Sequence, residues 1–211
     1  DFAGDKAAAA DAYEAAAGNP DSASAPDTWL RLMEAYARFY ARDGKSKEAL
    51  EVIGRATEIA PERPSLLALK AEIEAGKAIE PMFANARTGA AEVLFGLGSA
   101  VRRDGSEGFA IMYLQLALAA NPESDVTLIQ LAGIAENQDR QLEAIALYDR
   151  IDKTSPFRRG AELQSGLNLA DMDKKDEAVK TLTALIEENP ADTRAYLALG
   201  GVYGSKKDYK A

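Results

Sequence analysis

Catalysis in this chain would have to rest on carboxylates, because its 211 residues include no His and no Cys. Without His, the commonest general base and the Ser-His-Asp arrangement are missing. Without Cys there is no disulfide, no thiolate nucleophile and no zinc site of the usual kind. The densest acidic groups are Glu187-Glu188 and the trio Asp171, Asp173 and Asp176. The pair falls at the end of a predicted helix. The trio falls in an inter-helix turn beside Lys174 and Lys175, where a run of charges reads as a solvated face. Asp171-x-Asp173-x-x-Asp176 lacks the Gly and the distal Glu of a calcium loop. Gly96-x-Gly98 sits in mid-helix among Leu, Ser and Ala, with no strand before it to build a phosphate cradle. Trp29, Tyr36, Phe39 and Tyr40 recur at helical spacing and read as core. No catalytic residue, cofactor or metal is expected, and the chain reads as non-enzymatic.

Composition narrows the partners. Apolar residues make up 47%, enough to bury a core in one or two domains of this length. Lys and Arg number 25 against 34 Asp and Glu, a net charge of -9. An acidic chain offers no basic face for phosphates, so nucleic acid is not an expected partner. The longest nearly apolar stretch, Phe109 to Ala120, is 12 residues with Gln115 inside it. A membrane-crossing helix needs roughly 20, so no span is expected in this segment. No charged n-region precedes an apolar h-region, and the chain opens at Asp1 rather than Met. The compartment is not readable from these features.

The elements follow from a repeat. Pro122, Pro156 and Pro190 lie 34 residues apart, each after a small polar residue, Asn121, Ser155 and Asn189. The same step links Gly98, Ala132, Gly166 and Gly200, and separately Ala110, Ala144 and Ala178. Between these columns the apolar residues keep helical spacing, as in Leu94, Leu97 and Val101. Breaks fall halfway along each unit at Asp104-Gly105, Asp139-Arg140 and Asp173-Lys174. Each unit is thus two antiparallel helices joined by a short turn, the second ended by Pro, which lacks an N–H and bars its predecessor from the α region. The small residues let the paired helices approach closely. One pair cannot bury its apolar face alone, so the units must stack.

Units of this pattern resemble tetratricopeptide (TPR) repeats. The first-helix half of the family pattern is matched by Tyr196-Leu-Ala-Leu199-Gly200-Gly-Val-Tyr203, and the second by Ala110, Leu114, Ala117 and Pro122. The resemblance implies an all-α fold, an α-solenoid in which antiparallel helix pairs of 34 residues wind into a right-handed superhelix, as a single array over 1–211. Regular repeats are expected at 91–124, 125–158 and 159–192, with 193–211 a partial one. Another, 27–63, fits through Met33, Tyr36, Ala37, Tyr40, Gly44, Ala49, Ile53, Ala56 and Pro61, with an extended first helix capped by Asp27 or Thr28. Residues 64–90 form a short, degenerate repeat: one helix from Ser65 to Ala75, then Gly76 and Pro81. The interval from Pro61 to Pro122 is 61 residues where two units need 68. Residues 1–26 read as the second helix of a preceding repeat plus a loop. Both chain ends fall inside a repeat, as expected of a segment of a longer array or of an array with disordered ends.

The same resemblance supplies a candidate site. In the family, first helices line a concave face that holds extended or helical segments of partners. Transferred column by column, the groove here holds Phe95, Ile129, Leu163 and Leu197, apolar at every 34-residue step. Beside it run Ser99, Gly133, Leu167 and Gly201, then Arg102 and Arg103, Glu136 and Asn137 at the lip. Two readings of the apolar column stand open: packing between adjacent first helices, or a partly exposed stripe that anchors a partner. The equivalent positions of the earlier repeat, Arg31, Glu34, Arg38 and Arg42, make that end basic and polar. Chaperone-binding family members clamp a terminal carboxylate with Lys and Asn; Phe95 with Ser99 and Ile129 with Gly133 cannot do so.

The expected function is a protein–protein interaction scaffold that binds a protein or peptide in this groove and assists complex assembly. The alternative is a recognition arm of a larger enzyme or polysaccharide-export protein whose active part lies elsewhere. Self-association through the uncovered terminal repeat is a third expectation. The Ala-rich repeat style looks bacterial, with a lean to the periplasm or cell envelope over the cytoplasm.

Overall fold

A computed structural model describes residues 5–18, 26–103 and 106–206. Among these residues there are eleven helices and no strand. They divide into two units, residues 1–86 and 87–211.

The first unit holds α1 (Lys6–Ala17), α2 (Pro26–Arg42), α3 (Ser46–Ile59) and α4 (Pro64–Glu74). Asp5 caps α1, its carboxylate accepting from the Ala8 N–H at 3.0 Å. α2 begins at Pro26, ahead of the caps read at Asp27 or Thr28. Proline suits a first helical position because its missing N–H would be unpaired there anyway. Asp27 then sits in the first turn and Arg42 in the last, each favourable to the helix dipole. α2 buries Leu30, Met33, Tyr36, Ala37 and Phe39, and α3 answers with Ala49, Val52, Ile53 and Ala56 at i, i+3, i+4 and i+7. Gly44, at φ 77°, makes the turn between them in the left-handed region that glycine enters freely. α1 adds Tyr13, which stacks on Tyr36 with ring centroids 5.2 Å apart. α4 packs on α2 and α3 through Leu66, Leu69 and Ile73. The aromatic cluster read as core is core: Tyr36 and Phe39 are buried, with Trp29 and Tyr40 packed against them.

The second unit holds α5 (Ala86–Arg103), α6 (Glu107–Ala120), α7 (Asp125–Asn137), α8 (Gln141–Asp149), α9 (Arg158–Asp171), α10 (Lys175–Glu188) and α11 (Thr193–Lys206). α7 pairs with α8, α9 with α10, and α8 and α10 each also pack on the next first helix. The small-residue columns act as close approaches. A Cβ on Gly98 would stand 2.9 Å from Leu114 Cγ, and one on Gly166 2.8 Å from Leu182 Cδ2. Ala110, Ala132, Ala144 and Ala178 are all fully buried. At Gly200 a Cβ would meet nothing within 4 Å, and no helix after α11 pairs with it among the described residues. Asp139 and Asp173, at φ 54° and 60°, hold the turns that Gly44 holds in the first unit.

α8 departs from the repeat at its C-terminal end. α8 ends at Asp149 after 9 residues, whereas α6 and α10 each run 14. Asp152 explains the early stop. Its Oδ1 accepts from the Thr154 N–H at 2.7 Å, a local side-chain bond that competes with another helical turn. Ser155 then donates to Asp125 at 2.6 Å and ties the unwound stretch back to the start of α7. No described helix is long and apolar enough to cross a membrane.

Candidate functional site

In the second unit the candidate column lies on the first helices α5, α7, α9 and α11, and its exposure rises along the chain. Phe95 is 9% exposed and belongs to the core cluster of α5 to α8. Ile129 and Leu163 are half-buried, each packed against a core cluster. Leu197 is 76% exposed. The column therefore joins both open readings, stacking contact at one end and bare apolar surface at the other.

The neighbouring column serves close approach in one place and leaves open space in another. Ser99 donates its hydroxyl to the Phe95 carbonyl at 2.8 Å and lies 3.1 Å from Gln130 Oε1, tying α5 to α7. Gly133 and Gly201 have no atom within 4 Å of where a Cβ would stand. Leu167 is half-buried and faces a cleft of about 530 Å3 between α9 and α11, whose walls include Ala170, Asp171, Leu197, Gly201 and Ser205. Two expected groove residues, Leu167 and Leu197, are thus brought together. Lys175 and Asp173, 3.1 Å apart, edge this cleft.

The lip residues differ from one another. Arg102 and Arg103 end α5, and their side chains lie outside the described residues. Asn137 is exposed at the end of α7. Glu136 is engaged: Asn168 Nδ2 donates to its Oε1 at 2.6 Å, and the Tyr148 hydroxyl also bonds it. Burial, with the adjoining Glu136 charge, pushes the Tyr148 phenol well above its usual range, so it stays a donor. One carboxylate thereby joins α7, α8 and α9. Asn168 is 4% exposed, and the sequence signal that marks it is a column of its own: Ala100, Ile134, Asn168 and Val202 stand 34 residues apart, and only Asn168 is polar. Arg159 is a second joint, its Nε donating to Asp192 Oδ2 at 2.7 Å and its Nη2 to the Leu185 carbonyl at 2.7 Å. Burial raises the Asp192 pKa, but hydrogen bonds from Arg159 and Arg194 outweigh it and hold the carboxyl below its usual range.

In the first unit Arg31 and Arg38 flank Glu34, at 3.8 Å and 3.4 Å. Glu34 is only 4% exposed. One buried carboxylate thus faces two of the three arginines expected at that end, which keeps a positive balance. Tyr36 donates to Glu14 at 2.9 Å and meets the Tyr40 hydroxyl at 2.8 Å. Burial first, then these bonds, hold its proton far above the ordinary tyrosine range.

Helix pairs recurring at 34 residues, with Gly98 on Leu114 and Gly166 on Leu182 two periods apart, decide the architecture. The fold is the tetratricopeptide-repeat fold. No family model matches the sequence, and no curated protein matches it. Among solved structures, the chain is similar to PilF of Pseudomonas aeruginosa at 16% identity and a TM-score of 0.48, over 87% of this chain and 72% of that one. It is similar to YrrB, described as a TPR protein with an unusual peptide-binding site, at 16% identity and a TM-score of 0.42, over 85% of this chain and 78% of that one. MamA of AMB-1 is similar at 13% identity and a TM-score of 0.47, over 87% and 86% of the two chains. No cluster of three or more carboxylates suited to a metal ion occurs among the described residues.

Proposed function

We propose that this protein is a non-enzymatic interaction scaffold, and that the first-helix face of its second unit binds a segment of another protein and so assists assembly of a complex. The observation that carries the reading is the cleft between α9 and α11, where Leu197, 76% exposed, stands across from Leu167. A large apolar side chain left bare beside a cavity of about 530 Å3 gains by being covered, at about 25 cal/mol per Å2 of apolar area removed from water. The absence of side chains at Gly133 and Gly201 leaves room for a partner's backbone. Ile129 and Leu163 extend the apolar surface, and Asn137 is exposed at the end of α7. A bacterial cell-envelope setting belongs to the same proposal.

The test is capture from native extract with the wild-type chain and with Leu167→Ser plus Leu197→Ser, after circular dichroism shows both equally helical. A protein captured by the wild type, cross-linked to α9 or α11 and lost from the variant supports the reading. Equal capture, or none, overturns it.

A further inference from the structure

The repeat that follows α3 has a first helix and no second. Gly76, at φ 65°, turns the chain out of α4, and the Lys77 N–H closes the helix end on the Glu72 carbonyl at 3.0 Å. Residues 77–85 then form neither helix nor strand. They return to α2. Ile79 packs against the core cluster of the first unit. Arg38 Nη1 donates to the Glu80 carbonyl at 3.3 Å. Pro81, Met82 and Phe83, all half-buried, close one side of a pocket of about 230 Å3 whose other side includes Tyr13, Ala35 and Arg38.

We propose that residues 79–83 are an intramolecular strap lying on a docking face of α2, and that this face, once the strap is displaced, takes a partner segment of the same chemistry: extended, with apolar side chains on both sides of a proline. Three features of the contact set that chemistry. Glu80 precedes Pro81 and is therefore held in an extended conformation, and Pro81 brings no N–H that the face would have to satisfy. The polar grip is on a backbone carbonyl, which any peptide offers, so selectivity falls to Ile79, Met82 and Phe83. The face itself can accept more than the strap supplies. About 230 Å3 stays unfilled, and the buried Nε of Arg38 has no hydrogen-bond partner among the described residues. Glu34 offsets part of the charge of Arg31 and Arg38, and Arg42 also lines the pocket, so the segment meets cationic as well as apolar walls. The strap prevails by tethering, since a short flexible linker sets an effective concentration on the order of millimolar. This inference concerns the first unit and does not rest on the α9–α11 reading.

The probe is a fluorescein-labelled peptide with the sequence of residues 77–85. It is titrated against the wild-type chain, against Ile79→Ser, Met82→Ser, Phe83→Ser, and against that variant carrying Arg38→Ala. At least tenfold tighter binding to the strap variant than to the wild type, lost again with Arg38→Ala, supports the proposal. Equal binding to wild type and strap variant, binding to neither, or indifference to Arg38→Ala overturns it. Should the triple variant lose helicity, Ala84→Cys in the otherwise wild-type chain gives a single thiol for a nitroxide, because the protein has no Cys. Excess peptide must then mobilise the label, and an unchanged spectrum overturns the proposal. Leu167→Ser plus Leu197→Ser must leave the peptide titration unaltered; a loss there places the peptide on the other unit and overturns the strap.

Discussion

Gly166→Ala and Gly133→Ala are the same chemical change in neighbouring first helices, and the structure requires opposite outcomes. Each replaces a mid-helix glycine and gains about 1 kcal/mol of helix propensity. At Gly133 the new methyl group meets nothing within 4 Å, so that gain should appear as higher stability. At Gly166 it lands 2.8 Å from Leu182 Cδ2 and 3.0 Å from Leu182 Cγ. Leu182 is fully buried and cannot swing aside, because Cγ as well as a terminal methyl is in the way. Inserting one methylene into a filled core costs about 1–3 kcal/mol. Propensity cancels between the two variants, so their difference reads the packing cost alone. Gly166→Ala should be destabilised by about 0–2 kcal/mol net, and its melting temperature should fall by about 2–4 °C per kcal/mol. The assay is urea unfolding followed by circular dichroism for wild type and both variants. Leu182→Ala, alone and combined with Gly166→Ala, completes the cycle, and the pair must couple because the smaller side chain relieves the clash. If Gly166→Ala stabilises the protein as Gly133→Ala does, the small-residue columns are not close approaches and the argument for them fails.

Three further outcomes are expected. Asp173→Gly should stabilise by about 1 kcal/mol or less in a thermal melt, since a left-handed φ of 60° strains any side chain and glycine bears no such cost; the ion pair it loses to Lys175 is 85% exposed on the Asp side and contributes little. Asn168→Ala should destabilise by about 1–3 kcal/mol by urea midpoint, because Glu136 loses a charge-assisted bond in a half-buried joint, and adding Glu136→Gln should recover part of the loss. Hydrogen bonds from Lys45 and Lys6 hold the Asp43 carboxyl at about 2, below its ordinary 3.8. A depressed carboxylate stabilises the fold above its unfolded pKa, and that contribution is lost as pH falls from about 4 to about 2. Asp43→Asn should flatten the acid limb of the unfolding curve over that window and leave its neutral plateau flat.

The repeat was legible because its physics is local. Pro122, Pro156 and Pro190 end helices or their connections, small residues allow close approach, and apolar spacing marks the buried stripes. Elements fixed by a single competing side chain were not legible. Asp152 ends α8 five residues early by bonding Thr154, and Pro156 still falls on the 34-residue period, so the column hides the change. Site residues were harder, because a column gives a face and not an exposure. Phe95 and Leu197 occupy the same register, yet the first is in a core cluster and the second is bare. Glu136 and Glu34 read as groove charges, and each turns out to be held by partners from its own or adjoining helices. The return of residues 79–83 to α2 depends on a contact made about 42 residues apart in sequence, between Arg38 and Glu80, which no periodic pattern encodes.

In the second unit α7 packs on α8, α8 on α9, α9 on α10, and α11 on α9 and α10. Among the described residues these contacts join helices next or next but one along the chain. Such a structure melts as a zipper opens rather than as a crystal does. Backbone amides of α11, with one face uncovered among the described residues, should exchange with deuterium first, those of α9 and α10 later, and those of α7, enclosed on both sides, last. Binding at the α9–α11 cleft would then be felt as slowed exchange that spreads from α11 toward α7, so that a partner holding a few residues would lend order to several helices.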